Sequence, residues 1–176
     1  MSLEANGNFP MATTARTTPS SKPLSDRELL AWRGMLRVHA AVTKALDAEL
    51  EEQHEISLTS YEVLLHLDDA EDGRMRMSDL ASRLLLSRSG ATRLVDRLER
   101  DGLIARDTCC SDARGSFAVL TPAGARKLAS ARQTHLAGVR RLYLDPLTAA
   151  QQDELGGCWE SVLPGEADAG DEGCGR

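Results

Sequence analysis

The feature that most restricts this chain is the stretch from Met77 to Leu120, which reads as a short helix, a tight turn, an arginine-rich second helix and a two-stranded hairpin. In the second helix Ala91, Leu94, Val95 and Leu98 recur at the spacing of one helical face, whereas Thr92, Arg93, Asp96, Arg97 and Arg100 fall on the others. One face is built to pack, and the other is left for a partner. Ser87 offers a hydroxyl that accepts from an unpaired N–H of the first turn, and Gly102 stands just past the far end, so the spacing predicts a helix over 88–101. Ahead of it Leu80, Ala81 and Leu84 mark a shorter helix, with Asp79 near its positive end. Only Leu85, Leu86 and Ser87 separate the two. A connection that short forces the helices to cross, the helix-turn-helix arrangement.

Charge concentrates in the same place. Between Arg74 and Arg100 stand seven arginines (74, 76, 83, 88, 93, 97 and 100) and three acids (79, 96 and 99), a local +4 within a chain of −6. Such a patch on an acidic background attracts an anionic partner. A solvated helix face laced with Asp and Arg pairs has the same composition, so charge alone does not choose. Eighteen arginines against three lysines suit two-pronged contacts to phosphate and guanine, and a GC-rich genome produces the same bias.

The hairpin adds the missing element. Leu103, Ile104 and Ala105 form one apolar strand, and Phe117, Ala118, Val119 and Leu120 the return strand, with a loop from Asp107 to Gly115. Arg114 at the loop tip suits the narrow, electronegative minor groove of DNA, and Asp112 two residues away can hold it in position. A surface turn with an incidental ion pair is the plainer reading. Against it, turn, helix and tip occur together and in order.

Elsewhere the chain reads as helices. Residues 1–25 are Ser, Thr, Pro, Ala and Asn with few large apolar side chains, a disordered leader in which Arg16 and Lys22 offer at most a weak DNA arm. Asp26 is placed to cap a helix running to Glu52, with Leu29, Leu30, Met35, Leu36, Val38, Val42, Leu46 and Leu50 along one side. At 1.5 Å per residue it reaches ~40 Å, longer than a small winged domain covers, so a second subunit is expected over the excess. Thr59 and Glu62 read as a capping box with Leu58 and Val63 as a staple, for a helix to Asp69, and Glu71 to Gly73 as a polar turn. Thr121 and Pro122 open a helix through Leu128, His135, Leu136, Val139 and Leu142, ended by Asp145 and Pro146. Thr148 and Gln151 box the last helix, which carries Leu155, Trp159, Val162 and Leu163, and residues 164–176 are an acidic, glycine-rich tail without structure.

Several classes fall away. Aromatic content of 3% with 41% hydrophobic residues suits a helical body better than a β-sandwich. No apolar run approaches the ~20 residues of a membrane span, and no signal-peptide core is present, so a cytoplasmic protein at the bacterial nucleoid is expected. Cys109, Cys110, Cys158 and Cys174 have no C-x-x-C spacing, which argues against zinc. The adjacent thiols Cys109 and Cys110 in the wing loop suit oxidant sensing, although two reduced loop cysteines are the commoner case. No G-x-S-x-G, P-loop, H-E-x-x-H or dinucleotide fingerprint occurs, so neither an enzyme nor a cofactor is expected.

From Leu58 to Lys127 the chain resembles the winged helix-turn-helix of the MarR (multiple antibiotic resistance regulator) family. The likeness rests on LSRSGATRLVDRLERDGL, on the DAR of Asp112 to Arg114 and on LTPAG at Leu120 to Gly124, and flanking helices extend it from Leu29 to Val162. The common family wing has arginine at both positions after the aspartate; Ala113 here leaves Arg114 as the minor-groove candidate. The resemblance implies a mainly α fold with an α+β wing, a winged helix-turn-helix over residues 56–121 and a dimerisation region over 26–55 and 122–163. A homodimer would set two recognition helices ~34 Å apart on a pseudo-palindromic operator. Trp159 and Leu163 are candidates for its interface, though packing within one subunit suits them nearly as well. Ser87, Arg88, Ser89 and Gly90 are expected to approach phosphate or base edges, with Thr92, Arg93 and Arg97 along the exposed face and Arg88 or Arg93 pairing with guanine. Arg76 and Arg83 are expected to meet phosphates or solvent, and Asp112 and Arg114 to serve the wing. Trp32, Met35, His39, Tyr61 and His66 would line a cleft for a small aromatic or phenolic ligand that releases DNA. The expectation is a transcriptional regulator, a repressor by family habit, binding double-stranded DNA. The alternatives are redox gating through the wing-loop cysteines, and a winged-helix module that binds protein rather than DNA.

Overall fold

In the computed structural model, which describes residues 22–108 and 116–163, the helical spacing resolves into helices α1 (Asp26–His54), α2 (Leu58–Asp68), α3 (Met77–Arg83), α4 (Arg88–Arg100), α5 (Pro122–Val139) and α6 (Ala149–Val162). Three strands join them: β1 (Arg74–Arg76), β2 (Ile104–Thr108) and β3 (Ser116–Leu120). The leader, the wing-loop residues Cys109, Cys110, Asp112, Ala113 and Arg114, and the acidic tail fall outside the described residues.

Two helix starts differ from expectation. Ser25, not Asp26, caps α1: its N–H donates to Glu28 Oε2 at 2.7 Å while the Glu28 N–H reaches Ser25 Oγ at 3.4 Å. Asp26 is already the first helical residue. Ser57, not Thr59, caps α2, accepting from the Ser60 N–H at 3.1 Å. That earlier start draws on a partner distant in sequence, because Asp47 Oδ1 on α1 accepts the Leu58 N–H at 2.8 Å. The capping residues expected for α4, α5 and α6 are the ones observed: Ser87, Thr121 and Thr148, the last with Gln151 in a reciprocal box. Beyond Val139 the chain does not continue as α-helix to Asp145 but widens into a π turn over Arg140–Leu144.

By its own contacts the chain divides into a unit Ala41–Tyr143 and a second one made, among described residues, of 22–40 and 144–163. The larger unit holds the core. Leu46 and Leu50 of α1 share one cluster with Tyr61, Val63, Leu64 and Leu67 of α2, which also takes in Leu80, Leu94, Val95, Leu98, Leu128 and Ala131. The α4 residues are those its periodicity assigned to the packing face. In the smaller unit several large apolar side chains are surface: Leu30 is 76% exposed, Trp32 53%, Val162 66% and Trp159 40%.

The sheet runs β1-β3-β2, antiparallel throughout. Strand β1 was not anticipated, since three residues carry no periodicity and this strand exists by pairing with β3. Strand β2 also runs further than expected: Asp107, read as loop, pairs with Phe117, and Thr108 with Ser116. The register puts Met75, Ala118 and Arg106 in one row; Met75 and Ala118 are buried, so this is the inward face. On the outer face the guanidinium groups of Arg74 and Arg76 stack on Phe117, 4.3 and 4.8 Å from its centroid, and Arg74 pairs with Asp107 at 3.5 Å. No described helix is long and apolar enough to cross a membrane.

Candidate nucleic-acid interface

The turn between α3 and α4 is what presents α4. Leu85 takes a left-handed conformation at φ +52°, which lets the Leu86 N–H return to Ala81 O at 3.0 Å and brings Ser87 to the start of the next helix. Ser87 Oγ then accepts from the Gly90 N–H at 3.1 Å and lies 3.2 Å from Ser89 Oγ. The first turn of α4 carries no acid, so its positive dipole end faces outward unopposed. Ser87, Arg88, Ser89, Thr92 and Arg93 line one shallow groove along this end. Thr92 Oγ1 donates to the Arg88 carbonyl at 2.9 Å, and a Cβ on Gly90 would crowd the capping hydroxyl, 3.2 Å from Ser87 Oγ. The side chains of Arg88 and Arg93 are exposed and make no hydrogen bond or ion pair with the described residues.

The remaining arginines divide by role. Arg97, expected on the exposed face, is exposed, but its Nη2 donates to Ser60 Oγ at 3.1 Å and Ser57 Oγ at 3.3 Å, tying α4 to the start of α2. Arg100 Nε donates to the Asp96 carbonyl within its own helix at 3.3 Å. Arg76 lies at the start of α3, held against Phe117, and Arg83 is exposed on α3. Sequence reading missed Arg106 altogether. On β2 it reaches across to α4, bonding Asp96 Oδ1 and lying 3.5 Å from Glu99 Oε2. The available signal was strand alternation: Arg106 falls two residues after the buried Ile104 and so shares its face.

The expected ligand residues are distributed over both units. Trp32 is half-exposed, Met35 partly buried and His39 exposed in the smaller one. In the larger, Tyr61 is 2% exposed and stacks on His135 with ring centroids 4.5 Å apart, so its ring belongs to the core. His66 is partly buried, and desolvation, then the charge of Arg83, holds its imidazole below the ordinary value against the opposing pull of Asp69. Burial alone does the same to His135, whose Nδ1 has no hydrogen-bond partner among the described residues.

A solvent-facing, acid-free helix start lined by serines, a threonine and two unpaired arginines has the chemistry of a groove reader. Comparison with known proteins points the same way. The sequence profile of the MarR family matches residues 54–115. AbsC, a MarR family transcriptional regulator from Streptomyces coelicolor, is 35% identical over 81% of this chain and 95% of its own, with a TM-score of 0.76. A second Streptomyces coelicolor MarR family regulator, solved in complex with DNA, is 32% identical over 85% of this chain and 96% of its own, with a TM-score of 0.77. An HTH-type transcriptional regulator of Bacillus subtilis, YkoM, is 31% identical over 83 residues, 47% of this chain, and the chain spans about half (53%) of that curated relative. The chain therefore belongs to the MarR family of winged helix-turn-helix transcriptional regulators, which are DNA-binding proteins and not enzymes.

Proposed function

We propose that this chain represses transcription as a homodimer in the cytoplasm, inserting α4 of each subunit into successive major grooves of a pseudo-palindromic operator. The observation that carries the reading is the groove of Ser87, Arg88, Ser89, Thr92 and Arg93, with both arginines unpaired among the described residues. The relative solved with DNA supports duplex DNA as the partner. Apolar side chains such as Leu30, Trp32 and Val162, exposed in the single chain, support a second copy as their cover. Release is assigned to a small aromatic or phenolic ligand that prefers a dimer with wrongly spaced recognition helices, and its effect is bounded by that preference.

The decisive experiment titrates duplexes recovered from the organism's own genome against the protein at several salt concentrations. Submicromolar, sequence-selective binding that weakens steeply with salt is expected. Weak binding indifferent to sequence would favour a protein-binding module instead. A panel of phenolic acids added to the complex tests the release step.

A further inference from the structure

The alternation of β2 sets Arg106 on the inward sheet face, in one row with Met75 and Ala118, 8% and 0% exposed. A guanidinium held there needs anions, because a partly desolvated charge without partners is costly. It finds two, and both are on α4. Its Nη2 binds Asp96 Oδ1, its Nε lies 3.5 Å from Glu99 Oε2, and Nη2 also donates to the Thr92 carbonyl at 3.4 Å. Asp96 and Glu99 are the only acids that α4 contains. On a helix that approaches phosphates, two unpaired carboxylates would repel the partner that Arg88 and Arg93 attract.

We propose that Arg106 is a positioning residue for DNA binding: without reaching the duplex, it neutralises Asp96 and Glu99 and draws them toward the wing. The outward side of α4 is then left with a net positive charge. This inference rests on the DNA-binding reading above, and charge-specific rescue separates it from a plain packing role.

The test uses the full chain and the tightest duplex that the wild type selects from a random-sequence pool. Arg106→Met should weaken binding by on the order of 10- to 100-fold at ~50 mM salt. The deficit should shrink at ~300 mM, since like-charge repulsion is screened and a packing fault is not. Adding Asp96→Asn and Glu99→Gln to Arg106→Met should restore affinity to within about threefold of the wild type. The double variant Asp96→Asn, Glu99→Gln with Arg106 in place should bind at least as tightly as the wild type. Undiminished binding by Arg106→Met overturns the assignment, as does a deficit that salt leaves unchanged or that the carboxylate substitutions do not restore. If Arg106→Met alone fails to fold, the triple variant against the double decides: equal affinities support the role, and a weaker triple overturns it. A wild type that selects no duplex at all would instead overturn the DNA-binding reading itself.

Discussion

At the scale of single residues, two glycines are fixed by geometry. A Cβ on Gly124 would stand 2.1 Å from the Leu103 carbonyl oxygen and 2.8 Å from Leu120 Cδ1, so α5 packs against the start of β2 only because that atom is missing. Gly124→Ala should cost about 2–3 kcal/mol, read as a lower midpoint in denaturant at unchanged slope. Gly102 sits at φ +72° in open space, and Gly102→Ala should cost only about 1 kcal/mol, for backbone strain alone. His135 supplies a pH dependence. Burial lowers its folded value below 6.5, as burial and Arg83 do for His66, so the unfolded chain takes up the proton first as pH falls. Stability from these groups is complete above pH 6.5 and declines below it toward the folded values. Chemical denaturation at about pH 7.5 and about pH 5.5 should show the fall, and His135→Leu should make it shallower; an identical fall in the variant would locate its origin elsewhere.

At the scale of elements, α4 is the helix whose limits and faces were most completely legible. Its packing residues, its cap Ser87 and its arginines all lie within a few residues of one another, so local rules suffice. Ser87→Ala should cost about 1 kcal/mol of stability and weaken DNA binding besides. The arginines of the same helix should separate. Arg93→Ala is expected to cost ~1–3 kcal/mol of DNA affinity and to relax base preference, measured by competition among duplexes. Arg97→Ala should lower thermal stability through loss of the Ser57 and Ser60 contacts, with a smaller effect on DNA than Arg93→Ala. Where sequence reading went astray, the deciding partner was remote. Thr59 and Glu62 made a plausible box, yet Asp47 receives the Leu58 N–H and the helix begins earlier. Strand β1 likewise has no local signature and is defined by its hydrogen bonds to β3.

At the scale of the molecule, the apolar surface of the smaller unit bears on assembly. Trp159 and Leu163 are 40% and 38% exposed in the single chain, a poor arrangement for side chains of that size unless another surface covers them. Trp159→Glu with Leu163→Glu should therefore shift the protein toward monomer in sedimentation. The same change should weaken operator binding by at least about tenfold, because one recognition helix alone forfeits the second half-site. Unaltered sedimentation would remove these two residues from the interface.

The amino-acid order by itself determined the helices with long amphipathic runs, three of their caps, the helix-turn-helix and its family. Each depends on residues near in sequence, whose hydrogen bonds and packing face are set by backbone periodicity. The tertiary structure alone decided which charges are spent inside the molecule and which remain for a partner. Arg97 and Arg106 differ little from Arg88 and Arg93 in composition, but Ser57, Ser60, Asp96 and Glu99 reach only the first two. A guanidinium's role is fixed by what lies within about 4 Å of it, and chain folding sets that distance.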